Sequence, residues 1–205
     1  MFIVIEGIDG SGKSTQAERL KEWLEHKTGR ETVHTYEPGG WAGGETFREN
    51  LLNAGQYSAL SELLLFLADR SEHVNRVILP ALSSGKNVIC ERYNASTLAY
   101  QCGGHNMNLE EAQRIISSCK FPEPDMNIIL DINPETAIER IKSRGKSDRY
   151  ESEGLLLMRK VSECYGLIAS GQRDKFSVIC CDDMTEDEVF TAITADLESK
   201  LWRSR

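Results

Sequence analysis

Near the start of the chain, Gly7-Ile8-Asp9-Gly10-Ser11-Gly12-Lys13-Ser14 follows the pattern G-x-x-x-x-G-K-[ST]. This spacing builds a phosphate cradle. Its glycines let backbone N–H groups turn inward around a polyphosphate. A helix opening at the end of the loop adds the positive end of its dipole. Lys13 is placed to reach the β and γ phosphates, and Ser14 to ligate Mg²⁺. An ordinary glycine-rich turn would lack the context seen here, a β-rich run before the loop and a helical pattern after it. The cradle alone does not name a reaction, because GTPases, ATPases, kinases and motors share it. No N-K-x-D guanine-reading sequence occurs, and 205 residues is too few for most motor architectures. Small-molecule kinases fit best.

Three later segments carry residue types suited to an acceptor. Glu37-Pro38-Gly39-Gly40 follows a predicted strand. In an open α/β sheet such a strand end borders the ligand crevice. Its carboxylate could face a ligand there, or it could be a solvated Glu on a Pro-Gly turn. Phe66 and Arg70 are four apart in a helical run and so share a face. A ring and a guanidinium on one face can stack on a flat base and hydrogen-bond its edge. The competing reading makes Phe66 core and Arg70 a surface ion-pair partner. Glu91-Arg92-Tyr93-Asn94-Ala95-Ser96-Thr97-Leu98-Ala99-Tyr100-Gln101 also begins at a strand's end. Arg92 is placed to grip a phosphate bidentately, and Glu91 to help hold Mg²⁺ through water. A helix starting near Asn94 would put Ser96 and Tyr100 on one face, Thr97 and Gln101 on another.

These side chains need a scaffold, and the periodicity supplies one. Short apolar runs at Phe2–Ile5, Thr32–Tyr36, Asn87–Glu91, Met126–Ile132 and Phe176–Cys181 read as strands apolar on both faces. That is the pattern of a parallel sheet covered by helices. Helical patterns fill the gaps at Ser14–Lys27, Ser58–Leu82, Leu109–Ser118, Pro134–Arg144, Gly154–Ser170 and Glu186–Trp202. The alternation predicts a doubly wound α/β sheet. The loop Gly39–Gly44 and the stretch Gly145–Ser152 read as mobile.

Composition sets the outer limits. Hydrophobic residues make up 40% and charged residues 27%, a globular mixture. A net charge of -8 disfavours a nucleic-acid polymer as partner, since backbone binding needs clustered positive charge. A few arginines suffice for a small phosphorylated ligand. The longest uninterrupted apolar run, Leu63–Ala68, falls far short of a membrane span. Glu6 interrupts the opening apolar residues too early for a signal peptide. Six cysteines, none in a CxxC, read as buried reduced thiols of a cytoplasmic protein.

Taken together, the P-loop with Asp9 inside, E-P-G-G, F-x-x-D-R and the E-R-Y…S…A-Y-Q block resemble the thymidylate kinase (dTMP kinase) family. The resemblance continues through Leu130-Asp131 into an arginine-rich segment and so runs nearly end to end. It implies transfer of the ATP γ-phosphate to dTMP, giving dTDP, with Mg²⁺. It also implies a three-layer P-loop kinase fold, a five-stranded parallel sheet flanked by helices, and a homodimer. Residues 1–205 would form one domain, with a mobile lid at about 143–153.

By position, Gly7, Ile8, Asp9, Gly10, Ser11, Gly12, Lys13, Ser14 and Thr15 would bind ATP, with Arg140 at the adenine side. Phe66 would stack on thymine, Arg70 would bond its edge, and Arg92 would hold the acceptor phosphate. Ser96, Thr97 and Gln101 would lie near the base, and Tyr100 near the deoxyribose, disfavouring ribonucleotides. Asp9 would bond the sugar 3′-hydroxyl or orient the acceptor. Glu37, beside Pro38, would be a structural or metal-linked carboxylate, while Ser14 and Glu91 would serve the metal. Some family members carry an arginine inside the P-loop, where this chain has Gly10, so Arg149 or Arg144 is the expected catalytic arginine of the lid. Tyr36, Glu91 and Cys102 depart from the usual arginine, aspartate and glycine. A kinase for another nucleoside monophosphate or a deoxynucleoside, or a non-catalytic nucleotide-binding regulator, are the alternatives.

Overall fold

The computed structural model describes residues 1–53, 57–144 and 154–202, the side chains of 53 and 144 excepted. Five parallel strands form one sheet in the order β2-β3-β1-β4-β5. They are β1 (Phe2–Glu6), β2 (Thr32–Tyr36), β3 (Asn87–Glu91), β4 (Met126–Asp131) and β5 (Phe176–Cys180). Every residue of β1 is buried, as a central strand covered on both faces requires. Alternate residues serve different sides: Ile3, Ile5 and Ile89 pack in one core cluster, Phe2, Val4, Val88 and Cys90 in another. Register aligns Ile5 with Glu91 and Glu91 with Tyr36, so the carboxyl ends of β1, β2 and β3 meet at one edge. The site lies beyond that edge.

The helices match the sequence pattern except where backbone geometry departs from it. Helix α1 (Lys13–Thr28) opens directly from the P-loop and ends at Gly29, whose left-handed backbone bonds back to Glu25. The single helix expected over 58–82 is α3 (Ala59–His73), a π-helical turn (Val74–Ile78) and α4 (Leu79–Ser83). Pro80 has no N–H for the carbonyl one turn back, and the preceding turn widens so that the Leu79 N–H reaches Val74. A second widened turn (Ala99–Gly104) follows α5 (Asn94–Leu98). Then come α6 (Leu109–Ser118), α7 (Pro134–Arg144), α8 (Leu155–Gly171) and α9 (Glu186–Leu201).

Helix α2 (Gly44–Asn53) was not expected. Its apolar residues Phe47, Leu51 and Leu52 are too few to set a period, and it is held by packing on α3. The loop 39–44, expected to be mobile, is tied down. The Asp69 carboxylate accepts the Gly39 N–H at 3.0 and 3.1 Å and the Trp41 indole N–H at 2.8 Å. Most of the expected lid, Arg149 included, lies outside the described residues. All six cysteines are free; Cys90, Cys164 and Cys181 are buried as expected, but Cys119 and Cys180 are exposed. Among the described residues no helix is long and apolar enough to cross a membrane.

Candidate functional site

The P-loop joins the end of β1 to α1. Gly10 has φ +82°, and a Cβ there would stand 2.5 Å from the Ala137 carbonyl oxygen. No side chain fits there without moving backbone. Gly12, at φ 95°, caps α1. The buried Lys13 ammonium donates to the carbonyls of Gly7 at 3.1 Å and Ile8 at 2.9 Å, and lies 3.8 Å from Asp9. Burial, reinforced by the charge of Arg92, pushes its pKa down to about 8. The Ser14 hydroxyl donates to Glu91 Oε2 at 2.7 Å. A hydroxyl and a carboxylate oxygen side by side, facing the loop, are the hard donor set that Mg²⁺ favours. Burial raises Glu91, but hydrogen bonds from His34 and Ser14 outweigh it, and the group stays ionised below the ordinary range.

Arg92 begins the acceptor side. Its backbone takes φ 66°, a left-handed conformation rare outside glycine and common at functional sites. The guanidinium pairs with Asp9 and lies 5.1 Å from the Tyr100 ring centre. It also donates to Gly7 O, Ser96 Oγ and Tyr100 Oη, each at 3.4 Å. The Tyr100 hydroxyl donates to the other Asp9 oxygen at 3.1 Å. Burial works to raise Asp9, but Arg92 and Lys13 overcome it and hold the carboxyl well below its usual range. Asp9, Lys13, Arg92 and Tyr100 thus form one charged cluster between the phosphate cradle and the neighbouring cleft.

That cleft is lined by Asp9, Pro38, Phe66, Arg70, Arg92, Ser96, Thr97 and Tyr100, among others. Phe66 and Arg70 share it, as their four-residue spacing predicts. Arg70 is buried and donates to Glu37 at 2.7 Å, Asn94 at 3.1 Å and Thr97 at 2.8 Å. Its guanidinium stacks 4.8 Å from the Tyr93 ring centre. It is therefore not a surface ion-pair partner. Glu37 takes Arg70 on one oxygen and His73 at 2.9 Å on the other. Both oxygens are thus engaged by protein groups.

The motif F-x-x-D-R now has a physical meaning. Asp69 fixes the backbone of the Glu37-Pro38-Gly39-Gly40 turn, and Arg70 pairs with the carboxylate that opens it. Gln101 does not line the cleft; it is fully buried, and its amide has no protein partner among the described residues. Gln101 lies within the widened turn Ala99–Gly104.

Sequence reasoning missed several contributors. Arg48 on α2 lines both the cleft and the P-loop hollow, donates to Pro38 O at 2.9 Å and stacks on Tyr36. No carboxylate pairs with it among the described residues. Its only signal was a basic residue after the E-P-G-G turn. Glu6 is buried at the end of β1 and accepts the Tyr93 and Ser96 N–H groups at 3.0 and 3.2 Å, pinning the start of α5. Burial pushes its pKa up. On the far side of the P-loop, Arg140 reaches Gly10 O at 3.4 Å and borders a hollow with Thr15, Thr185 and Val189. Arg144 ends α7, and its side chain lies outside the described residues.

Comparison with known proteins agrees with this geometry. A family model described as thymidylate kinase matches residues 5–193. The chain is 46% identical to the thymidylate kinase of Prochlorococcus marinus (strain AS9601) over 176 residues, covering 82% of each. It is 36% identical to that of Desulfovibrio desulfuricans (strain ATCC 27774 / DSM 6949 / MB) over 205 residues, 95% of this chain and 94% of the relative. The crystal structure of thymidylate kinase from Ehrlichia chaffeensis superposes with a TM-score of 0.77 at 32% identity, covering 97% of this chain and 98% of that one. A phosphate cradle bordering a cleft, in a chain matched over most of its length in sequence and in fold, places the protein in the thymidylate kinase family.

Proposed function

We propose that the chain transfers the γ-phosphate of ATP to the phosphate of dTMP, giving dTDP and ADP, with the residue roles that follow. The observation carrying this reading is that Phe66 and Arg70 open into one cleft, with Arg92 between that cleft and Lys13 of the P-loop. Phe66 stacks on thymine. Three of the five Arg70 donors are used within the protein, and the remaining two read the base edge. Ser96 and Thr97 close the wall beside the base. The Tyr100 ring crowds the sugar and selects deoxyribose. Asp9 orients Arg92 and Tyr100 and faces the 3′-hydroxyl.

Arg92, joined by Arg48, grips the acceptor phosphate. Its nucleophile is already an anionic oxygen, so no general base is needed. Catalysis is positioning and charge neutralisation. Lys13 leaves the loop carbonyls for the ATP phosphates, and the backbone of Gly7–Thr15 surrounds them. Mg²⁺, when bound, neutralises phosphate charge; Ser14 and Glu91 are its holders. Arg140 packs at the adenine side, and Arg149 or Arg144 supplies the last cation from the lid. The chain works as one domain with a lid at about 143–153, as a homodimer, in the cytoplasm.

The test is an acceptor panel. With Mg·ATP and a series of nucleoside monophosphates, ADP formation should be fastest with dTMP. Arg92→Ala should lose 10³-fold or more in dTMP turnover with ATP affinity retained, following the typical effect of an arginine in P-loop phosphoryl transfer. Unchanged turnover and dTMP affinity in that variant would sink the assignment.

A further inference from the structure

Glu91 divides its two oxygens between different partners. Oε2 accepts from Ser14 at 2.7 Å, the first helical turn after the P-loop lysine. Oε1 meets His34 Nε2 at 3.0 Å. The other ring nitrogen of His34, Nδ1, lies 3.0 Å from Glu18 Oε1 on α1. Carboxylates only accept, so both ring nitrogens donate. His34 sits on β2, next to β3 in the sheet, and its ring is mostly covered, with 16% of the side chain exposed. The result is a continuous line of side chains, Glu18, His34, Glu91 and Ser14, that starts and ends on the same helix.

We propose that His34 is a positioning residue for the metal site, holding one oxygen of Glu91 so that the other stays on Ser14. This rests on the reading above in which Ser14 and Glu91 hold Mg²⁺. A glutamate has three rotatable side-chain bonds, and one hydrogen bond to a serine hydroxyl does not fix them. Lys13 lies close enough to act on the charge of Glu91. A Glu91 released by His34 can turn toward that ammonium and compete with the ATP phosphates for it. Held from Oε1, it cannot. Partners one shell out from a metal are commonly worth tenfold or more in metal affinity, because they fix the ligand's orientation.

The two ring nitrogens permit a clean test. Gln at this position mimics Nε2 and can reach Glu91. Asn mimics Nδ1 and leaves Glu91 unheld. Mn²⁺ replaces Mg²⁺ as the probe, and its affinity for the enzyme·ADP complex is read by electron paramagnetic resonance, independent of turnover. His34→Asn should weaken Mn²⁺ by about tenfold, with dTMP affinity within about twofold of the parent. His34→Gln should restore most of the loss. Glu91→Gln should weaken Mn²⁺ as well, and adding His34→Asn to it should weaken Mn²⁺ no further. If Glu91→Gln lowers affinity but His34→Asn does not, or if the two losses add, His34 does not position Glu91. If Glu91→Gln leaves Mn²⁺ affinity unchanged, the metal role of Glu91 fails, and this inference with it. Equal losses in the Asn and Gln variants would mean a packing role only.

Discussion

A guanidinium buried at the bottom of a ligand cleft is stable only if its charge is answered. Arg70 is 1% exposed and faces Glu37, which in turn holds His73, itself bonded to Thr35 at 2.7 Å. Removing one partner of such a pair leaves a buried charge uncompensated, typically at about 3–5 kcal/mol. Glu37→Ala should therefore destabilise the protein by about that amount in urea unfolding and also weaken dTMP binding, because Arg70 loses its aim. A change under about 1 kcal/mol would show that water reaches the guanidinium. Lys13 makes the second residue-scale prediction. Its pKa near 8 means that the free enzyme loses this charge as pH rises through 8, two units or more before an ordinary lysine. The pH dependence of kcat/KM reports the free enzyme. kcat/KM for ATP should fall on the alkaline side of pH 8, while an ordinary lysine would keep it flat to about pH 10.

At the scale of elements, two motifs act as one unit. Helix α3 carries Asp69 and Arg70, and both grip the turn after β2. Asp69→Ala frees the Gly39 N–H and the Trp41 indole N–H, and each buried donor left without a partner costs about 1–3 kcal/mol. The expected result is faster amide exchange across 39–44 and a larger rise in KM for dTMP than for ATP. Equal rises in both would place this loop outside the acceptor site.

This coupling explains what the sequence made legible and what it did not. Strands apolar on both faces and a P-loop in its strand–helix context depend on local pattern alone, and β3 and α7 were read to the residue. So were the shared faces of Phe66 with Arg70 and of Ser96 with Tyr100. The four-residue spacing of Thr97 and Gln101 assumes a regular α-helix, whereas the turn at Ala99–Gly104 is wider. Glu6, Arg48 and His34 were missed because their roles depend on neighbours at least 30 residues away or on an element without a period of its own.

Across the whole molecule, a net charge of -8 coexists with a crevice that gathers Lys13, Arg48, Arg70 and Arg92. Acidic residues on outer helix faces, such as Glu186, Asp187 and Glu188 in the first turn of α9, keep the surface negative. One surface does not fit this pattern. On α3, Leu60 and Leu64 are 49% and 52% exposed, and Ala68, four residues further on, is exposed too. Residues four apart lie on one side of a helix, so these form an apolar ridge. The same helix turns Phe66 into the cleft, so that residue is not available to a partner, and Leu65 is half-buried. In the homodimer proposed above, the ridge is the natural contact, and burying the exposed half of each leucine contributes about 1 kcal/mol. A charge there cannot be buried cheaply. Leu64→Glu should therefore shift sedimentation toward a monomer at concentrations where the parent is a dimer. Phe66 and Arg70 follow Leu64 on the same helix, so loosening the ridge should also raise KM for dTMP while KM for ATP stays near the parent value. A Leu64→Glu protein that sediments like the parent at every concentration would move the dimer contact away from α3.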